Sequence, residues 1–80
     1  MSNTFKINIV SPGKALLEFE GEALVTSASN GYIEFKANHA PIIISTIPTT
    51  TKIIVGGKRE ELFTSYGIIY MKDNVLKFCW

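Results

Sequence analysis

Cysteine, histidine and tryptophan occur once each in this chain of 80 residues, and proline three times. No apolar run approaches the roughly eighteen residues that a membrane-spanning helix needs. Each shortage excludes something. A lone Cys79 cannot close an internal disulfide, so nothing demands an oxidising compartment. A lone His39, with no CxxC pair and no GxSxG elbow, leaves neither a zinc set nor a nucleophile paired with its base. Charge of one sign is also missing. Eight Lys and Arg against seven Asp and Glu leave a net charge of +1, so no field recruits nucleic acid, anionic lipid or an acidic substrate. The opening Met1 to Phe5 lacks a basic region followed by an apolar core, so no cleaved signal is expected and the cytoplasm is the expected compartment.

What is present is β-branched. Eleven Ile, four Val and seven Thr stand against five Leu and five Ala, which favours strands over helices throughout. With 46% hydrophobic and 19% charged residues the chain is a folded one, and its length allows a single domain over 1–80. Phe5, Ile7 and Ile9 alternate with Lys6 and Asn8, the period of a half-buried strand. Ser11-Pro12-Gly13-Lys14 turns the chain into Leu16 to Glu20, and Gly21 separates that run from Glu22 to Ala28. Asn30-Gly31 signals a hairpin into Tyr32 to Lys36, with Ile33 and Phe35 facing inward. Ile42-Ile43-Ile44 is too apolar for a strand with one wet face and is expected between two layers or under a partner.

Pro48 ends that run or marks an edge. Thr49 to Val55 turns through Gly56-Gly57 into Arg59 to Ser65, where Leu62 and Phe63 are core candidates. Gly67 permits a close approach before Ile68 to Met71, and Asp73-Asn74 turns the chain into Val75 to Trp80. Nine short strands at this spacing predict an all-β fold, a flattened antiparallel β-sandwich or barrel. The apolar end at Phe78-Cys79-Trp80 reads as a domain boundary.

Candidate chemistry is sparse. Glu18, Glu20, Glu22 and Glu34 fall on polar strand positions, and Glu60-Glu61 and Asp73 are expected to flank turns, all as solvated faces. Gly56-Gly57-Lys58 lacks the spacer, the following Ser or Thr and the helix of a phosphate loop. The nine aromatics belong mostly to the core, and Cys79 reads as a small buried hydrophobe. His39 has two readings: a loop histidine bonded to backbone at a strand corner, or a polar anchor in a docking surface.

Asn38-His39-Ala40-Pro41, with Gly31 before it and Ile42-Ile43-Ile44 after it, resembles the amino-terminal domain of the epsilon subunit of F-type ATP synthase. Phe5 to Pro12 resembles that family's opening strand and turn, and Ser65 to Ile69 with Asp73-Asn74-Val75 resembles its penultimate hairpin. The likeness spans about residues 4 to 78. Departures are local. Tyr32-Ile33-Glu34 stands where the family usually has Glu-Leu-Gly, Pro48-Thr49 replaces Pro-Gly, and Tyr66-Gly67 replaces Gly-Gly. The family continues into two carboxy-terminal helices, so any regulation by them is expected to be absent from this chain.

The resemblance implies a sandwich of about ten strands at the foot of a rotary central stalk, non-catalytic and without a cofactor or metal. It would be peripheral to the membrane on its cytoplasmic side and would couple proton transport to ATP synthesis. Its implied partners are the gamma subunit and the c-ring, with no nucleic acid and no nucleotide affinity. The gamma-facing surface is expected around His39, Ala40, Pro41, Ile42, Ile43 and Ile44, and the c-ring-facing loop at Asn30, Gly31 and Tyr32. The competing reading is a free-standing β-barrel that binds a nucleic acid or small ligand.

Overall fold

A computed structural model describes residues 3–11 and 16–80. Nine strands account for most of them: β1 (Phe5–Val10), β2 (Leu17–Gly21), β3 (Ala23–Ala28), β4 (Gly31–Lys36), β5 (Ile42–Thr46), β6 (Thr49–Val55), β7 (Lys58–Thr64), β8 (Gly67–Lys72) and β9 (Val75–Cys79). Every apolar run read from the sequence is a strand. The turn expected at Ser11 to Lys14 lies, beyond Ser11, outside the described residues.

The strands join in the order β2-β1-β9-β8-β5-β3-β6-β7, with β4 on the far side of β3. This path folds on itself where β5 meets β3 through one residue pair, Ala28 with Thr46. There Ile47 N donates to Ser27 O at 3.1 Å, and Pro48, which has no N–H to offer, ends the ladder and turns the chain. One layer is thus β2-β1-β9-β8-β5 and the other β4-β3-β6-β7. Between them lie Phe5, Ile7, Ile9, Leu24, Phe35, Ile53, Ile69, Met71, Leu76 and Phe78, all buried. Strand alternation puts one side chain in two inside, which is why six of the nine strands supply this core.

Four sequence expectations change in the structure, three of them on strand pairing and parity. One pairing is parallel: β1 runs alongside β9, Lys6 opposite Val75 through Val10 opposite Cys79. Turn signals specify only strands adjacent in sequence, and a parallel pair needs a long crossover, here nearly the whole chain. Phe63 is not in the core. It is 68% exposed, because Leu62 and Thr64 take the inward parity of β7 and one residue between them must point out. Cys79 is exposed on the outer face of β9, since Leu76 and Phe78 point inward.

The turns form with small shifts. The β3–β4 hairpin closes over Ser29-Asn30, and only the following Gly31 takes positive φ, +125°. Gly56 and Gly57 both have positive φ, as do Asp73 and Asn74, so these two loops match the twist of their flanking strands. Glu60 and Glu61 lie within β7 and do not flank its turn.

A line of hydroxyls crosses the second layer inside the core. Thr26 Oγ1 lies 2.9 Å from Thr51 Oγ1, Thr51 Oγ1 lies 2.7 Å from Thr64 Oγ1, and Thr64 Oγ1 donates to Thr49 O at 3.4 Å. All three hydroxyl side chains are buried, so each depends on its neighbours for satisfaction. Thr51→Val should therefore cost about 1–3 kcal/mol by stranding Thr26, despite its near-equal volume. Gly67→Ala should cost a similar ~1–3 kcal/mol by overpacking, because an added Cβ would collide with the Cys79 carbonyl and stand 2.7 Å from Trp80 Cβ. Thermal unfolding of the two variants checks both, with about 4–8 °C of Tm lost per kcal/mol.

Candidate docking surfaces

The segment between β4 and β5 turns a corner. His39 N donates to Lys36 O at 3.3 Å and Asn38 adopts φ +64°, which asparagine tolerates better than most residues. The His39 ring then does two things. Its Nδ1 donates to the Ala40 carbonyl at 2.8 Å, and its face tilts 52° against Phe35 with centroids 5.0 Å apart. The half-buried imidazole thereby ties the corner to the core through Phe35, while Ala40 and Pro41 are exposed. Of the two readings of His39, the backbone-bonded corner residue is what this geometry displays.

Asn74 holds the same corner from the opposite hairpin, a role that the sequence did not reveal. Its Oδ1 accepts from Asn38 N at 2.7 Å, its Nδ2 donates to Thr4 O at 3.0 Å, and its carbonyl accepts from Lys6 N at 3.1 Å. One side chain in the β8–β9 turn thus joins the opening strand to the His39 loop. An Asn in a turn reads only as a turn residue, because its long-range partners are fixed by tertiary contact.

Beyond the corner the isoleucine run alternates. Ile42 and Ile44 pack against the core, while Ile43 is 67% exposed on the outer face of the first layer. Its cross-strand neighbour is Tyr70, and Ile68, Cys79 and Val10 lie further across the same face through the pairings Ile68 with Cys79 and Val10 with Cys79. Ile68, Tyr70 and Val10 are exposed too. Four large apolar side chains therefore share one face of four adjoining strands, more than scattered surface hydrophobics require. Parity along β8 was the signal for Ile68 and Tyr70, once Ile69 is assigned inward.

The other expected site lies at the far end of β4. Tyr32 is 84% exposed beside the Ser29-Asn30 loop, while the His39 corner follows the last residue of the same strand, about 17 Å away. Tyr32 has company that the sequence reading left out. Tyr66 in the β7–β8 loop is 72% exposed, and Phe63 and Pro48 are exposed nearby, because Thr46 pairs with Gly67 and Thr49 with Thr64 at that end. The structure gathers His39 to Ile44 along one edge and face, and Asn30 to Tyr32 at the opposite end. Lys6 and Glu18 at 3.9 Å and Lys36 and Glu34 at 4.0 Å form solvent-exposed pairs of little energetic weight.

A family model described as the ATP synthase delta/epsilon chain beta-sandwich domain matches residues 4–79. The chain belongs to that family. An ATP synthase epsilon chain of Desulfitobacterium hafniense is 38% identical over 74 residues, covering 92% of this chain and 56% of that one. An ATP synthase epsilon chain of Clostridium novyi is 37% identical, covering 99% and 62% respectively. This chain thus spans little more than half the length of these epsilon-chain relatives. Among solved structures, a chain of the Euglena gracilis mitochondrial ATP synthase superposes with a TM-score of 0.90 at 16% identity, covering 99% of this chain and 51% of its own. A chain of the Tetrahymena thermophila mitochondrial ATP synthase central stalk and c-ring gives 0.78 at 15% identity, covering 92% and 60%. At such identities these likenesses establish the epsilon-type sandwich fold.

Within this epsilon-type sandwich the Asn74 clamp is open to a direct check. Asn74→Ala should lose about 2–4 kcal/mol, from two hydrogen bonds and a left-handed backbone that alanine disfavours. Asn74→Gly should recover the backbone part but not the bonds, and urea unfolding of the three proteins separates the two contributions.

Proposed function

We propose that this chain is the sandwich of a non-catalytic central-stalk subunit of an F-type ATP synthase, set between the gamma subunit and the c-ring at the cytoplasmic face of the membrane. It couples proton transport to ATP synthesis by holding the two together. The single observation that carries this reading is the presence of two separate apolar surfaces on one closely packed body. Supporting it are the family itself and the two structural relatives, which come from ATP synthase assemblies that include the c-ring.

Torque passes between two parts only if the body joining them neither shears nor unfolds locally. A sandwich whose interior is filled by interlocking side chains deforms little, because protein interiors pack as densely as organic crystals. The gamma-facing surface in this proposal is the His39–Ala40–Pro41 corner with Ile42, Ile43 and Ile44, extended across Tyr70, Ile68 and Val10. The c-ring-facing end is Asn30, Gly31 and Tyr32, joined by Tyr66 and Phe63. Aromatic side chains suit such a contact, since they bring much area at low conformational cost.

Two variants distinguish the faces. Ile43→Ser with Ile68→Ser should weaken calorimetric binding to purified gamma subunit by about a hundredfold or more, given ~1.5–3 kcal/mol for each of two buried aliphatic side chains. Tyr32→Ala should leave gamma binding unchanged and lower co-purification with detergent-solubilised c-ring. Unaltered gamma affinity in the double variant, with its Tm retained, would assign the gamma contact to another face.

A further inference from the structure

The nine strands run up and down, so every connection lies at one of two ends of the sandwich. One end holds Glu22 beside Gly21, Lys36 before the His39 corner, Lys58 and Arg59 after Gly56-Gly57, and Lys72 and Asp73 at the last hairpin. The opposite end has none of these. Pairings trace it from strand to strand: Ile9 with Leu17, Val10 with Cys79, Cys79 with Ile68, Gly67 with Thr46, Thr46 with Ala28, and Thr49 with Thr64. Among the described residues no Lys, Arg, Asp or Glu lies in its connections or at the strand positions that border them. Lys14 lies outside the described residues. On β4 and β7 the nearest charges, Glu34 and Glu61, stand two residues beyond Tyr32 and Phe63, about 7 Å further along each strand. On β2 the first charge is Glu18, which faces Lys6 at 3.9 Å.

The uncharged end is also where large apolar side chains reach water. Leu16, Leu17, Tyr32, Phe63, Tyr66 and Ile68 are all exposed there, supplied by three separate connections. Trp80 lies half-buried at the same end, its N donating to Val10 O at 3.0 Å and its ring edge-on to Phe78 with centroids 5.0 Å apart. A protein partner is steered and held in register by complementary charge, and this end offers none. A lipid headgroup layer asks for something else: rings with an apolar body and a polar tip, and aliphatic tips that enter to a depth of about 5–10 Å. Tyrosine, phenylalanine and leucine over an uncharged depth of about 7 Å meet that requirement. The net charge of +1 adds no pull toward anionic lipid, so the matching surface is a zwitterionic one.

We propose that this end seats in the headgroup layer of a zwitterionic phospholipid bilayer, with Tyr32, Phe63 and Tyr66 entering it and the charged end of the sandwich turned to water. The contact rests on the reading that this end faces the membrane, and it adds lipid to the c-ring as a partner there. Vesicles that hold no protein separate the two partners.

Sucrose-loaded phosphatidylcholine vesicles at about millimolar lipid should carry the 80-residue chain into the pellet, and the emission of its single tryptophan, Trp80, should move to shorter wavelength as they do. Raising the salt from about 0.1 M to about 0.5 M should change the partition by less than about twofold, because no screened charge contributes. Tyr32→Ser with Tyr66→Ser, both changes at exposed positions, should lower the partition by about tenfold or more while the protein keeps its Tm. The proposal is overturned if the chain stays in solution, if binding needs anionic lipid and is lost at the higher salt, or if Ile43→Ser lowers the partition as much as the tyrosine pair does. A dimer that the tyrosine pair abolishes would show the end covered by a second copy and would overturn it as well. Co-purification with the c-ring through Tyr32 without vesicle binding leaves a protein contact alone and overturns the lipid contact, whereas vesicle binding without co-purification supports it and removes the c-ring from this end.

Discussion

The parallel pairing of β1 with β9 brings together residues about seventy positions apart, and the rest of the sandwich is built around that junction. β1 contributes Phe5, Ile7 and Ile9 to the core and β9 contributes Leu76 and Phe78, half of the fully enclosed cluster. Without the junction β2 would have no anchor and β8 would be an open edge. Closing so long a loop has an entropic cost that only the completed core offsets, so this contact forms late or together with the core. Asn74 reinforces it with hydrogen bonds to Thr4, Lys6 and Asn38.

A body assembled this way has a stiff centre and specialised margins. Its outward positions are free to carry recognition, because alternation along a strand makes every core residue the neighbour of a surface one. Ile43 stands between the inward Ile42 and Ile44, Ile68 and Tyr70 on either side of Ile69, and Phe63 between Leu62 and Thr64. The exposed apolar side chains are thus carried by the same backbone that holds the core.

Much of the fold was legible in the sequence because its strands are short, alternating and separated by strong turn chemistry. The β-branched excess excluded helices, and Gly56-Gly57 and Asp73-Asn74 fixed two hairpins through residues that accept positive φ. Parity was misread at Phe63, where an aromatic beside a leucine invites burial although a strand seats only one of two neighbours. Cys79 was misread for a similar reason, since thiols are usually buried and Phe78 had already taken the inward place. Of the isoleucine run, Ile42 and Ile44 pack inward as expected of residues between two layers, while Ile43 is exposed.

By itself the sequence determined the class of the protein, the strand positions and the Asn38-His39-Ala40-Pro41 element, because period, turn residues and short motifs are local properties. Only the tertiary structure decided that the first strand lies beside the last, that Asn74 clamps the His39 corner, and that Tyr32, Phe63 and Tyr66 share one end. It alone also left that end without a charged side chain among the described residues. These features join residues that are distant in the chain, and their geometry is set by how two twisted layers close over a shared core.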